Sequence, residues 1–206
     1  MKIILTNAGK RYSREWIFRN LSYQFLQGKS YAITGANGSG KSTLLQVLSS
    51  ALILNEGTAE WKLNNGNLKI EVVHQEISFA APYFELIEEM TAKEFLLFHT
   101  KFKSFINNFS VEEVLNRVQL TEAANKQIRF YSSGMKQRLK LAQAIFSDTS
   151  FVLLDEPCTN LDVNGFNLYY SIVENFCKNR LLIISSNDEN EYKFCDEQLK
   201  IQHFKK

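Results

Sequence analysis

Gly35, Gly40, Lys41 and Ser42 stand at the spacing G-x-x-x-x-G-K-S/T, within the run Gly35-Ala36-Asn37-Gly38-Ser39-Gly40-Lys41-Ser42-Thr43. Such a loop takes polyphosphate. Its glycines let backbone N–H groups close around phosphate oxygens without a Cβ in the way, Lys41 brings a point charge to the outer phosphates, and the Ser42 hydroxyl is expected on Mg²⁺. A second chemical segment, Phe151-Val152-Leu153-Leu154-Asp155-Glu156-Pro157, is four apolar residues ending in two acids. Asp155, at the edge of a sheet, can order the metal, while Glu156 projects further and can orient a water against a terminal phosphate. Read alone, that segment is a strand followed by an acidic helix cap; the phosphate loop gives it a chemical sense.

The flanking elements suit this chemistry. Ser30–Thr34 is a short β-prone run and Lys41–Leu52 reads as a helix, so the loop joins a strand to a helix whose N-terminal dipole points at the anion. Upstream, Ile3–Thr6 and Leu21–Leu26 read as strands, the second joined to Ser30–Thr34 by a Gln27-Gly28-Lys29 turn. Gly57–Leu63 and Leu68–His74 flank Asn64-Asn65-Gly66-Asn67 and read as a hairpin. Thr91-Ala92-Lys93-Glu94 and Ser110-Val111-Glu112-Glu113 fit the capping box, which makes residues 79–147 mainly helical. Alternation then returns, with Phe151–Asp155 as a buried strand, Val163–Lys178 as a helix whose face carries Val163, Phe166, Tyr170, Val173 and Cys177, Leu181–Ser186 as a strand, and Gln198–Gln202 as the last strand. Strand, helix, strand implies parallel pairing with ligands at the carboxyl ends.

Composition narrows the class. A chain of 206 residues that is 45% hydrophobic, with 16 Phe, is long and apolar enough for one folded domain with a large core. A net charge of +2, with Lys and Arg scattered, gives no case for nucleic acid, and Lys205 and Lys206 read as a solvated tail. Cys158, Cys177 and Cys195 are odd in number and far apart, which excludes the usual zinc spacings. The start, Met-Lys-Ile-Ile-Leu-Thr-Asn, lacks the apolar run of a signal peptide, and no stretch has the length of a spanning helix, so a reducing cytosol is the expected setting.

With Tyr131-Ser132-Ser133-Gly134-Met135-Lys136-Gln137-Arg138 between them, the two chemical segments make the chain similar to an ABC ATPase along nearly its whole length. The resemblance implies an α/β fold of the P-loop ABC type, with a mostly parallel core sheet, an N-terminal antiparallel β subdomain and an α-helical subdomain. It implies a single domain over 1–206, with the nucleotide-binding core in 1–75 and 148–206 and the helical subdomain in 76–147. Ser132, Ser133, Gly134 and Met135 resemble the family signature, commonly Ser-Gly-Gly-Gln, whose donors would cap the γ-phosphate held by a second subunit; as a bare sequence they are also an ordinary helix start. Gln75, following Val72-Val73-His74, resembles the Q-loop glutamine that touches metal or attacking water. Tyr12 falls where the family stacks an aromatic on adenine, with Trp16 as competing candidate. Thr159-Asn160-Leu161-Asp162 resembles the D-loop, and Asp162 is also a helix N-cap in the making.

One departure stands out: Asn187 occupies the place of the switch histidine. An amide donates a hydrogen bond to the γ-phosphate but does not exchange a proton near neutral pH, so slower turnover is expected. The resemblance thus implies an ATP hydrolase with ATP and Mg²⁺ as cofactors. Expected catalytic residues are Glu156, Gln75, Asn187 and Lys41, and expected metal ligands are Ser42, Gln75 and Asp155. Its brevity resembles stand-alone ATPase subunits that pair with a separate membrane permease, including the small haem-exporter type. The implied partners are that permease and a second ABC ATPase subunit, in a homo- or heterodimer, and the implied location is cytoplasmic, at the inner face of the membrane. Phe79, Tyr83 and Phe84 then either line the groove that receives a helix of the permease or pack the helical insert. A soluble ABC ATPase of cofactor assembly or another cytosolic process, or a binding-only nucleotide module, is the alternative.

Overall fold

The computed structural model describes residues 1–63 and 66–205. Two long strands, β1 (Lys2–Tyr12) and β2 (Glu15–Leu26), pair antiparallel through Tyr12↔Glu15 at the hairpin end. β1 also pairs antiparallel with β4 (Glu56–Leu63), which continues into the two-residue β5 (Gly66–Asn67), giving the order β2-β1-β4-β5. Asn64 and Asn65 of the expected hairpin turn, and Lys206 of the expected tail, lie outside the described residues.

The second sheet is parallel. Its order is β6 (Ile77–Ala80), β7 (Phe151–Asp155), β8 (Leu181–Ser186), β3 (Ser30–Thr34) and β9 (Glu197–Lys200). Alternation along β7 shows why a continuous apolar run is needed there. Phe151 and Leu153 join the core beneath the antiparallel sheet and α1 (Lys41–Leu48), whereas Val152 and Leu154 join the core of the helical subdomain. A strand buried on both faces has no room for polar residues until it ends, and Asp155 is where it ends.

The helical part comprises α3 (Ala92–His99), α4 (Val111–Arg117) and α5 (Ser133–Phe146). Both expected capping boxes are present, at Thr91 with Glu94 and at Ser110 with Glu113. α6 (Val163–Phe176) and the short α7 (Glu189–Tyr192) complete the chain. The buried stripe of α6 is Gly165, Tyr169, Ile172 and Val173, continued by Cys177; Val163, expected on it, is 76% exposed.

Three expectations are corrected. The phosphate-loop helix stops at Leu48 rather than Leu52. The last strand ends at Lys200, and Ile201–Phe204 is a 3-10 turn. The third bears on the site: Leu68–His74 is not a strand, because Ile70–Val73 form a single helical turn, α2, of which only Val73 is buried. The strand of this region is β6, which runs into the start of the stretch expected to be helical and pairs in parallel with β7 from Ile77↔Phe151 to Ala80↔Leu154. Gln75 therefore precedes the amino end of β6, on an exposed turn at the sheet edge opposite the one that carries Asp155.

Candidate functional site

Three parallel strands deliver the site's backbone at one sheet edge: β3 runs into the phosphate loop, β7 into Asp155-Glu156, and β8 into Asn187. Residues 35–40 wrap the amino end of α1. At Gly40 (φ 103°) a Cβ would lie 2.3 Å from Ile17 on β2, so both the backbone and the space demand glycine. The resulting cleft of about 250 Å³ is lined by Ile17, Asn37, Gly38, Gly40, Lys41, Ser42, Thr43 and Glu156. Lys41 is 4% exposed, and its ammonium donates to the Gly35 carbonyl at 2.9 Å and the Ala36 carbonyl at 3.3 Å. The loop thus holds its own cation over the place where phosphate charge would sit.

Asp155 is 2% exposed, and neither carboxylate oxygen has a hydrogen-bond partner among the described residues. The Oγ atoms of Ser39, in the loop, and of Ser185, paired with Asp155 across β7–β8, are likewise buried and unpartnered. Unsatisfied buried oxygens are costly, and a hard divalent cation with its waters is what such a set satisfies. With the Ser42 hydroxyl on the cleft wall, the donors present fit Mg²⁺.

Glu156 has φ 42°, an uncommon left-handed conformation for a glutamate. Its N–H donates to the Ser185 carbonyl at 2.8 Å, and its carbonyl accepts from the Thr159 N–H and hydroxyl. The kink turns the chain from β7 so that the glutamate borders the phosphate cleft while Asp155 stays underneath. Asn187 donates through Nδ2 to Oδ1 of Asn37 at 2.9 Å, which joins the switch position directly to the phosphate loop.

Tyr12 sits at the β1–β2 hairpin end, 49% exposed, with the Lys10 ammonium 5.6 Å from its ring centroid. The competing Trp16 is engaged by the guanidinium groups of Arg19, 4.5 Å away, and Arg11, 5.4 Å away.

Ser132 caps α5, accepting from the Met135 N–H at 3.2 Å. None of Ser132, Ser133, Gly134 and Met135 borders the cleft described above. They are fastened to the segment after Glu156: Gln137 donates to the Pro157 carbonyl at 2.6 Å, Arg138 lies 3.6 Å from Asp162, and a Cβ on Gly134 would stand 3.1 Å from the Asn160 carbonyl. Asp162 caps α6, accepting from the Gly165 N–H at 2.8 Å.

Three residues at this edge escape a reading of the sequence. Ile17 has no motif. Tyr83 lies on the loop after β6; burial first, and the charge of Asp155 second, push its pKa up to about 12. Glu191 on α7 is buried, and its carboxylate accepts from the Cys158 N–H at 2.9 Å; burial, opposed by hydrogen bonds from Ser186 and Cys158, pushes its pKa up to about 7.

A family profile described as ABC transporter matches residues 18–159, spanning both chemical segments and the signature. The chain is 31% identical to the uncharacterized ABC transporter ATP-binding protein YybJ of Bacillus subtilis, covering 98% of this chain and 93% of that protein. It is 32% identical to the lipoprotein-releasing system ATP-binding protein LolD of Protochlamydia amoebophila, covering 90% and 86%. Among solved structures, a dimeric bacterial ABC transporter cassette superposes with a TM-score of 0.80 at 23% identity, covering 97% of this chain and 95% of that one, a likeness of fold. Site, sequence and fold converge: the chain belongs to the ABC transporter family, as an ATP-binding subunit that hydrolyses ATP.

Proposed function

We propose that this subunit drives a separate membrane permease by closing on a second ABC ATPase subunit around ATP and reopening after hydrolysis. The observation that carries the reading is the separation, within one chain, of Ser132–Met135 from the phosphate cleft. Helix N-terminal donors that do not border their own cleft complete a site when a second subunit supplies the facing loop. The second subunit is a copy of this chain or a relative of it. No helix among the described residues is long and apolar enough to cross a membrane, so contact with the bilayer runs through the permease, at its cytoplasmic face.

In each composite site, backbone donors of residues 35–43 and the Lys41 ammonium bind and orient the phosphates, and Tyr12 stacks on adenine. Ser42 and Asp155 hold Mg²⁺. That ion neutralises charge on the outer phosphate oxygens when bound. Glu156 accepts a proton from the attacking water as it orients it, and the Asn187 amide donates to the γ-phosphate while tethered to Asn37. The closed pair favours ATP over ADP, and that difference is what the permease senses.

The direct test compares the wild type with Glu156→Gln. Turnover is expected to fall by about 100-fold or more, the usual worth of a positioned base, while ATP binding persists and light scattering shows an ATP-stabilised dimer. A wild type that binds ATP with Mg²⁺ but neither hydrolyses it nor pairs would overturn the reading.

A further inference from the structure

The left-handed backbone of Glu156 persists only where its surroundings over-determine it. The turn that carries it, residues 156–159, has three backbone N–H groups to place, since Pro157 has none. That of Glu156 goes to the Ser185 carbonyl on β8, and that of Thr159 goes to the Glu156 carbonyl within the turn. The third belongs to Cys158, which is buried, and it donates to the Glu191 carboxylate at 2.9 Å.

Glu191 is itself a fixed acceptor. It is 5% exposed, its N–H donates to the Asp188 carbonyl at 3.0 Å, and its own carbonyl accepts from the hydroxyl of Tyr169, a fully buried residue of α6, at 2.8 Å. Asp188 caps α7 through the Asn190 N–H at 2.9 Å, and Asn187 immediately precedes it. One side chain therefore ties the segment that carries the Asn187 amide to the turn that carries the base, with α6 behind it. A buried N–H stripped of its acceptor costs about as much as holding one residue in a left-handed conformation, so without Glu191 the kink loses a tether of the size it needs.

We propose that Glu191 is a positioning residue for hydrolysis: through the Cys158 N–H it holds the kink at Glu156, and so the aim of the base, in register with Asn187. The inference rests on Glu156 as the base of the function proposed above, and adds to it a residue that does not border the phosphate cleft.

The test measures kcat and KM for ATP, and binding of a non-hydrolysable ATP analogue with Mg²⁺, for the full chain as wild type, Glu191→Leu, Glu191→Gln and Tyr169→Phe, each also combined with Glu156→Gln. Leucine keeps comparable volume and accepts nothing, so kcat is expected to fall about tenfold, the worth of a hydrogen bond to a charged group, while KM and analogue affinity stay within about twofold. Glutamine keeps an acceptor for Cys158 and should recover most of that loss. Tyr169→Phe frees the Glu191 backbone and should lower kcat about threefold. In the Glu156→Gln background the same substitutions should change the residual rate by less than about twofold, because a base already removed is not misaimed. A Glu191 that merely supports the fold would lower the rate by the same factor in both backgrounds. That result, or a folded Glu191→Leu with wild-type kcat, overturns the inference. If Glu191→Leu fails to bind the analogue, Tyr169→Phe, which removes a single hydroxyl, carries the same comparison. Glu156→Gln alone separates the two readings: turnover like the wild type's sinks the base and the inference with it, whereas a slow Glu156→Gln beside a fast, folded Glu191→Leu sinks the inference only.

Discussion

Asn187 reaches the phosphate loop through an amide, a group that neither gains nor loses a proton in the working range. Replacing it by histidine puts an exchangeable proton beside the γ-phosphate, so Asn187→His is expected to raise steady-state turnover roughly threefold or more. Its pH–rate profile should gain a limb near about 6.5 that the wild type lacks; an unchanged rate and profile would remove the argument. Glu191 carries a different pH signature. Burial, above all, pushes its pKa up from the ordinary 4.5 to about 7 in the fold. Below about 4.5 both folded and unfolded chains hold the proton. Between there and about 7 only the unfolded chain releases it, so stability falls as pH rises through that window, by about 3 kcal/mol in all. Urea denaturation across pH 5–8 should show this fall, and Glu191→Gln should flatten it. The residues legible from sequence were those whose chemistry fixes type and local spacing, namely the phosphate loop and Asp155-Glu156. Tyr83 was not, because its place near Asp155 follows from the pairing of two strands about 70 residues apart, and Gln75 had the expected residue type at the wrong end of the strand.

Arg180 shows how the elements are joined beneath the site. Its guanidinium donates to the carbonyls of Ile145 at 2.6 Å, Ser147 at 2.9 Å and Thr149 at 2.7 Å, and to the Thr149 hydroxyl at 2.5 Å. It therefore satisfies the carboxyl end of α5 and the turn into β7 with one side chain. Arg180→Met keeps much of the volume and leaves those acceptors unpaired, an expected loss of about 3 kcal/mol in urea denaturation. No local pattern announces this residue. The helix starts were plain, since Thr91 with Glu94, Ser110 with Glu113 and Ser132 write their caps into adjacent positions. β6 was hidden because it is only four residues long and Ser78 and Ala80 dilute its apolar run, while Ile70-Glu71-Val72-Val73, richer in β-branched residues, spends them on one helical turn with a single buried side chain.

Two half-sites on one chain make the molecule's activity a property of pairs. If each composite site joins one subunit's phosphate loop to the other's signature, Ser132→Arg and Lys41→Ala should each abolish turnover alone. Mixed, they leave one intact site per heterodimer, so turnover should return to a measurable fraction of wild type; no recovery would argue that each chain acts by itself. Domain class and both halves of this site could be read along the chain, because each is a contiguous motif. What brings them together belongs to packing over long separations, and periodicity does not record it. The Arg180 clamp has a mechanical consequence. It pins α5 at its carboxyl end, and the 14 residues of the helix extend about 21 Å to Ser132. The helix is then a lever with its fulcrum at Arg180: a tilt of about 10° there swings the signature end by about 4 Å. Gln137 and Arg138 would drag Pro157 and Asp162 along the same arc, so the residues after Glu156 would feel the stroke.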